Sequence, residues 1–74
     1  MDVEVRLFSA LREGRFRKRT VPVPERACLG DLVRQLSIPE KDVSISLVNG
    51  RFRGLDEPLA DGDVVALFPS IGGG

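Results

Sequence analysis

The residues most able to take part in chemistry lie at the carboxyl end of the 74-residue chain, which closes with Gly72-Gly73-Gly74. A segment without side chains can enter a narrow channel, so it could present the terminal carboxyl group of Gly74 to another protein. A carboxylate is a poor electrophile, and acyl transfer therefore requires its conversion to a form with a better leaving group, such as an acyl adenylate. The sequence has no Gly-x-x-x-x-Gly-Lys-Ser/Thr motif for phosphate binding, so we expect a partner to bind the ATP.

Two further segments carry reactive or metal-binding side chains, and a structural role is the favoured interpretation for each. Cys28 lies close to Arg26 at the start of a predicted helix, where a thiol can be activated, but a free cysteine is more often small, half-buried and unreactive. Asp61-Gly62-Asp63 offers too few ligands for an ordinary metal site, and its composition is typical of a reverse turn. We therefore predict neither a reactive thiol nor a metal site.

Charge and composition argue against several classes of function. Eleven Lys and Arg residues balance eleven Asp and Glu residues, which disfavours binding to nucleic acid or to anionic membranes through net charge. The basic run over residues 15–19 contains one aromatic residue, Phe16, so an exposed, charged edge strand is favoured over an RNA site. The lack of histidine and tyrosine argues against self-contained catalysis.

Length and cysteine content limit the architecture. A chain of 74 residues holds one small core, which excludes a multi-domain enzyme. One cysteine and no histidine allow neither an internal disulfide nor an ordinary zinc site, and this composition fits a reducing cytoplasm. The longest apolar run, residues 64–68, is too short to span a membrane, and the charged start does not resemble a signal peptide. We expect a cytoplasmic domain that binds no membrane, metal or cofactor of its own.

The first third of the chain predicts a β-hairpin. Apolar and charged residues alternate over residues 2–8, the period of a strand with one buried face. After a polar turn, residues 16–23 predict the partner strand, with Val21 and Val23 facing inward. Pro22 cannot donate a hydrogen bond to a neighbouring strand, so this second strand is expected at a sheet edge.

The middle of the chain predicts one short helix. Over residues 29–36 the apolar residues recur at positions i, i+3, i+4 and i+7, which is the stripe of an amphipathic helix. Asp31 in the first turn complements the helix dipole, and Pro39 ends the helix.

The last part predicts three more strands. Residues 43–47 alternate between apolar residues and serines, and Asn49-Gly50 predicts a tight hairpin turn into a short strand over residues 51–53. After an irregular stretch and a turn, residues 64–68 are continuously apolar, as in a central strand. The order predicts an α+β fold, a β-grasp, in which one helix packs on one face of a mixed four- or five-stranded sheet. The domain is expected over residues 1–69, with a flexible tail over residues 70–74.

Four segments of the sequence resemble the ubiquitin-like MoaD/ThiS sulfur carriers. The resemblance covers nearly the whole chain and is closer to MoaD, the small subunit of molybdopterin synthase, because Phe68-Pro69 precedes the tail. The segments are Val5-Arg6-Leu7-Phe8-Ser9-Ala10-Leu11-Arg12-Glu13, Cys28-Leu29-Gly30-Asp31-Leu32, Val48-Asn49-Gly50 and residues 59–74, which read LADGDVVALFPSIGGG.

The resemblance implies a carrier, not an enzyme. An E1-like adenylyltransferase of the MoeB/ThiF type would adenylate Gly74 with ATP, and a sulfur donor enzyme would convert it to a thiocarboxylate. The loaded tail, with Gly72 and Gly73, would then enter a MoaE-like large subunit of molybdopterin synthase and donate sulfur to a pterin precursor of the molybdenum or tungsten cofactor.

The resemblance also implies a partner surface. It would consist of Phe8, Phe68, Pro69 and Ile71, whereas Phe52 and Leu55 are assigned to the interior. Ser70 stands where a second proline is usual and Gly72 where a bulkier residue is usual, and both predict a looser tail.

Three alternatives remain open at the level of sequence. The carrier could supply sulfur to thiamine thiazole synthesis. Gly74 could instead join a lysine of another protein through an isopeptide bond, as in a protein modifier. The chain could also be a plain β-grasp interaction module whose glycine tail has no chemical role.

Overall fold

The computed structural model describes residues 1–70, and their strands form one mixed sheet in the order β2-β1-β5-β3-β4. β1 and β5 are parallel, and the other neighbouring strands are antiparallel. The predicted site residues Ile71, Gly72, Gly73 and Gly74 lie outside the described residues. The strands and the helix are β1 (Asp2–Leu7), β2 (Lys18–Pro22), α1 (Leu29–Gln35), β3 (Val43–Val48), β4 (Arg51–Phe52) and β5 (Val64–Pro69), with 3-10 turns at Ser9–Arg12 and Glu40–Asp42.

The predicted β-grasp is confirmed in the number, order and type of its elements. β2 lies at one edge of the sheet and β5 at its centre, as expected. The bounds of the elements shift by one or two residues, and a 3-10 turn at Ser9–Arg12 replaces the simple turn predicted between the first two strands. None of the helices over residues 1–70 is long and apolar enough to cross a membrane.

The core lies between α1 and one face of the sheet. Each large aliphatic side chain fully buried there stabilises the fold by roughly 1.5–3 kcal/mol relative to an exposed one. The side chains with no exposed surface are Val3, Val5, Leu7, Leu29, Leu32, Val33, Val65 and Leu67.

The free N–H groups at the start of α1 are satisfied by the irregular stretch before β5. The N–H of Leu29 donates to the carbonyl of Glu57 (2.9 Å), and the N–H of Gly30 donates to the carbonyl of Leu55 (2.7 Å). A Cβ atom on Gly30 would lie 3.1 Å from that Leu55 oxygen, so the close approach of loop and helix favours glycine here.

Asp31 caps the same helix end. Its Oδ2 accepts a hydrogen bond from the N–H of Cys28 (2.9 Å), and its other oxygen is bonded to the Arg34 guanidinium. These bonds, above all the one from the Cys28 backbone, hold the pKa of Asp31 below its ordinary value of 3.8. Cys28 itself is a half-buried free cysteine at the N-cap.

Replacing Asp31 by Asn is expected to change the acid dependence of folding. A carboxyl whose pKa is lower in the folded state stabilises the protein above its unfolded pKa, and this contribution is lost as the pH falls through the folded pKa. The Tm advantage of the wild type over Asp31→Asn should therefore be largest near neutral pH and should shrink below pH 3.8. Thermal unfolding followed by circular dichroism across this range measures it. A Tm difference that stays constant with pH would contradict the assignment.

The Asp61-Gly62-Asp63 segment is a turn, as predicted, and it holds the start of β5. Asp63 accepts hydrogen bonds from the N–H of Ala60 (2.7 Å) and from the side-chain amide of Asn49 (2.9 Å). Gly62 has φ of +85°, a conformation that favours glycine. Within residues 1–70, no group of three or more His, Cys, Asp or Glu side chains could hold a metal ion.

Truncation of Asp63 tests this turn. Asp63→Ala removes both acceptors, and we expect the free energy of unfolding to fall by about 1–2 kcal/mol. The exposed Glu13→Ala is the matched control, with an expected change within about 0.5 kcal/mol. Urea denaturation measures both variants. Equal changes in the two would show that the carboxylate of Asp63 is not a structural acceptor.

The alternation in β3 assigns its side chains to two faces, and a bulge between Val43 and Ile45 shifts the register. Val48 is buried in the core, so Ile45 and Leu47, at the opposite parity, lie on the face away from α1. Val43, before the bulge, packs against the core instead. The alternating apolar residues of this strand therefore do not form one buried set.

Candidate functional site

The sheet face opposite α1, called the open face below, is divided into a cationic half and an apolar half. Cross-strand register aligns one residue from each strand in a row that crosses the sheet. The β2 and β1 members are basic, whereas the β5, β3 and β4 members are apolar. In strand order the row is Lys18, Arg6, Ala66, Leu47 and Phe52.

Two stacked rings lie at the border between these halves. The centroids of Phe8 and Phe68 are 4.3 Å apart with an interplanar angle of 9°, and both side chains are half-buried. The N–H of Phe8 donates to the carbonyl of Leu67 (3.1 Å), which fixes the chain after β1 against β5. The parallel strands thus bring together two residues that lie sixty positions apart in the sequence.

Arg12 lies over the face of the Phe8 ring that is turned away from Phe68. Its guanidinium lies 5.2 Å from the centroid of the Phe8 ring, and its Nε donates to the carbonyl of Leu7 (2.6 Å). The 3-10 turn Ser9–Arg12 places Arg12 there, and Ser9 adopts a positive φ of 52° to start that turn. The Phe8 ring is therefore fixed on one side by an aromatic ring and on the other by a cation.

The apolar half contains the large apolar residues with the most exposed surface. Phe52 is 77% exposed and Ile45 is 39% exposed. Leu47, directly opposite Phe52, is half-buried. The assignment of Phe52 to the interior is wrong, because the Asn49-Gly50 turn sets it opposite Leu47 on the face that no helix of residues 1–70 covers. Leu55 packs partly against the core, as expected.

The chain leaves β5 through a hydrogen-bonded junction with the turn before β3. The N–H of Ser70 donates to the carbonyl of Asp42 (3.1 Å), and its hydroxyl donates to the carbonyl of Lys41 (3.2 Å). A proline here would lack both the N–H and the hydroxyl that make these bonds, and the expected looseness of the tail beyond Ser70 concerns residues outside the described part of the chain. Pro69 is half-buried and pairs with Val43.

Two of the predicted partner residues, Phe8 and Phe68, therefore meet on the open face, and Pro69 follows at the junction on the alternate side of β5. The sequence reasoning missed Ile45 and Leu47 on the same face. The signal that could have found them is the parity of β3. Val48, next to the Asn49-Gly50 turn, belongs to the buried set, and residues at odd spacing from it must face away.

A sequence model of the ThiS family matches residues 5–74. The chain belongs to this family of ubiquitin-like sulfur carriers. The match begins in β1 and includes the open face, the junction and the three final glycines. In a sequence comparison with curated proteins, none matches this ThiS-family chain significantly.

Solved structures of similar proteins share the whole fold. SAMP1 from Haloferax volcanii is 31% identical, with full coverage of both chains and a TM-score of 0.76. A Pyrococcus furiosus protein assigned as subunit 1 of a molybdopterin converting factor is 31% identical, with coverage of 96% of this chain and 99% of its own and a TM-score of 0.80. The complex of subunits 1 and 2 of the molybdopterin-converting factor from Helicobacter pylori contains a chain that is 30% identical, with full coverage of both chains and a TM-score of 0.67.

A double-mutant cycle tests the ring stack. Stacked aromatic pairs contribute about 0.5–1.5 kcal/mol beyond their buried area, so Phe8→Leu and Phe68→Leu should couple by that amount in urea unfolding. The control cycle pairs Phe52→Leu with Phe68→Leu and should be additive within about 0.5 kcal/mol, because Phe52 lies on the edge strand beyond β3. Additivity in the first cycle would show that the rings do not interact in solution.

Proposed function

We propose that this ThiS-family protein carries sulfur as a thiocarboxylate on Gly74 and delivers it to a pterin precursor of the molybdenum or tungsten cofactor, as the small subunit of a molybdopterin synthase. The observation that carries the proposal is the family match, which extends to Gly74. The last matched residues follow a junction in which Ser70 is held by hydrogen bonds. The similar structures assigned to molybdopterin converting factors favour this pathway.

Loading takes two bond exchanges, one at the α-phosphorus of ATP and one at the carbonyl carbon of Gly74. A carboxylate oxygen of Gly74 attacks the α-phosphate of ATP, pyrophosphate leaves, and the acyl adenylate forms. Sulfide supplied by a donor enzyme then attacks the carbonyl carbon, and AMP leaves with the bridging oxygen. An E1-like adenylyltransferase in the cytoplasm would bind the ATP, so the carrier contributes the reacting carboxyl group and the surface that docks it.

The open face is the docking surface in this proposal. The Phe8 and Phe68 rings, the adjoining Ile45 and the half-buried Pro69 border the junction from which the tail starts. A partner that covers these apolar side chains removes them from water and at the same time receives the tail. The Helicobacter pylori complex, in which a similar chain is bound to a subunit 2, supports a MoaE-like large subunit as one such partner.

Mass spectrometry of the intact chain tests the loading step. After incubation with an E1-like adenylyltransferase, ATP and a sulfur donor, the chain is expected to gain the mass difference between sulfur and oxygen. Deletion of Gly73 and Gly74 should abolish the gain, because the shortened tail cannot reach the adenylating site. No gain with an enzyme that loads another ThiS-family carrier would refute the proposal.

Addition of a MoaE-like subunit and the pterin precursor tests the pathway. The mass should return to that of the carboxylate form as a sulfur-containing pterin appears. A loaded chain that keeps its sulfur under these conditions would retain the carrier chemistry and exclude this acceptor.

A second function is supported by the similarity to SAMP1, described in a further structure as small archaeal modifier protein 1. The same acyl adenylate could pass Gly74 to a lysine amine and form an isopeptide bond. Conjugates of higher mass that resist denaturation, and that disappear on deletion of Gly73 and Gly74, would favour this outcome over sulfur transfer.

A further inference from the structure

The cationic half of the open face contains a charged cluster that the carrier chemistry does not use. It is an open depression of about 580 Å³, called the cationic depression below. Its lining is formed by Phe8 and by four basic side chains, and no acidic side chain of residues 1–70 lines it. The basic residues are Arg6, Arg12, Arg17 and Lys18.

The charges in the cationic depression are only partly balanced within residues 1–70. Arg6 is paired with Glu4 at 2.5 Å, whereas Arg12, Arg17 and Lys18 form no ion pair with any carboxylate of this part of the chain. Arg12 is held by its bond to a carbonyl and by the Phe8 ring, so its charge is fixed in place. Arg17 and Lys18 are both exposed, and within residues 1–70 no carboxylate competes with an anion for them.

Three acidic residues gather at the end of β1 that is opposite to the cationic depression. Asp61 accepts a hydrogen bond from the N–H of Asp2 (2.8 Å), and Asp63 lies beside them, so these carboxylates gather at the amino end of β1. The cationic depression lies at the carboxyl end of the same strand. A chain of zero net charge thus presents a local excess of positive charge at the cationic depression, whereas Glu13 and Asp42 lie beside Ser70 at the start of the tail.

The neighbouring basic residues Arg15 and Arg19 do not line the cationic depression. Arg15 donates to the carbonyls of Leu11 (3.2 Å) and Ser37 (3.4 Å), and Arg19 lies over the Phe16 ring at 4.4 Å. The basic run of the sequence is therefore not a continuous stripe that could follow a phosphate backbone. The compact cluster beside two aromatic rings fits a short anionic segment better than a nucleic acid.

We propose that the cationic depression binds an acidic segment of a protein partner, in which carboxylates flank an apolar side chain. The carboxylates pair with Arg17 and Lys18, and the apolar side chain packs on the stacked rings of Phe8 and Phe68. Guanidinium groups bind carboxylates through paired hydrogen bonds, and the adjoining rings exclude water from one side of the contact. The identification of this partner with the protein that receives the tail rests on the proposed function. The charge complementarity between the cationic depression and an acidic segment is independent of that function.

Amide NMR spectra of the whole chain test the inference with a defined probe. The probe is the capped peptide Glu-Asp-Phe-Glu-Asp, and the matched peptide is Gln-Asn-Phe-Gln-Asn. The acidic peptide should produce saturable shifts of the Arg6, Phe8 and Lys18 amides. Its affinity should fall as salt shortens the screening length towards about 8 Å at physiological ionic strength, and the neutral peptide should bind roughly tenfold more weakly.

Two charge-matched variants separate this site from general attraction. Arg17→Glu with Lys18→Glu should weaken the acidic peptide roughly tenfold or more, and Arg26→Glu with Arg51→Glu, which changes the net charge equally, should leave it within about twofold. All four residues are exposed. Because Lys18 lies opposite Arg6, a glutamate there forms a favourable cross-strand pair and should preserve the sheet, which circular dichroism checks.

Three outcomes would overturn the inference: no shifts at the cationic depression, equal weakening by both pairs of substitutions, or tighter binding of a single-stranded oligoadenylate at the same amides. The loading assay is independent of these results. If the wild-type chain is loaded with sulfur but the acidic peptide shifts no amide signals, the acidic partner is refuted and the carrier function is retained. If the peptide binds but the chain is not loaded, the carrier function is refuted and the acidic partner is retained.

Discussion

The parallel pairing of β1 with β5 is the contact on which the rest of the molecule depends. In this pairing Val5 lies opposite Val65 and Leu7 opposite Leu67, and all four side chains are fully buried under α1. Because parallel strands run in the same direction, their carboxyl ends reach the same edge of the sheet. That single geometric fact brings together the stacked rings, the cationic depression and the start of the tail, which come from opposite ends of the sequence.

The two faces of the sheet serve different physical purposes. The face under α1 is closed and apolar, and its burial stabilises the fold. The open face carries exposed apolar side chains on β3 and β4, and its cationic depression includes Arg17 and Lys18, which form no ion pair within residues 1–70. Exposed apolar area of this kind is typical of surfaces that other molecules cover. In the docking we propose, a charged half beside an apolar half would also fix the orientation of the partner, because only one alignment satisfies both.

The sequence predicted the elements and their order because apolar periodicity and turn residues are local signals. The role of Phe8 and Phe68 in partner binding stays a prediction from the resemblance, and the stack between the two rings could not be predicted without the register of β1 and β5. Phe52 was misplaced because phenylalanine is more often buried than exposed, whereas the Asn49-Gly50 hairpin sets it opposite Leu47 on the open face. The hydrogen bonds of Ser70 could not be predicted from the sequence either, because their acceptors lie in a turn almost thirty residues earlier. Long-range pairing, which a single sequence does not encode locally, decided each of these positions.

The anchoring of Ser70 to the carbonyls of Lys41 and Asp42 defines a fixed origin for the chain that follows. Four residues separate that origin from the carbonyl carbon of Gly74, and a fully extended chain of this length spans at most about 14 Å. Any enzyme that modifies Gly74 must therefore hold its reacting atoms within that radius of the docked sheet edge. Two hydrogen bonds of Ser70 would thus limit the depth of the channel in any partner that modifies Gly74.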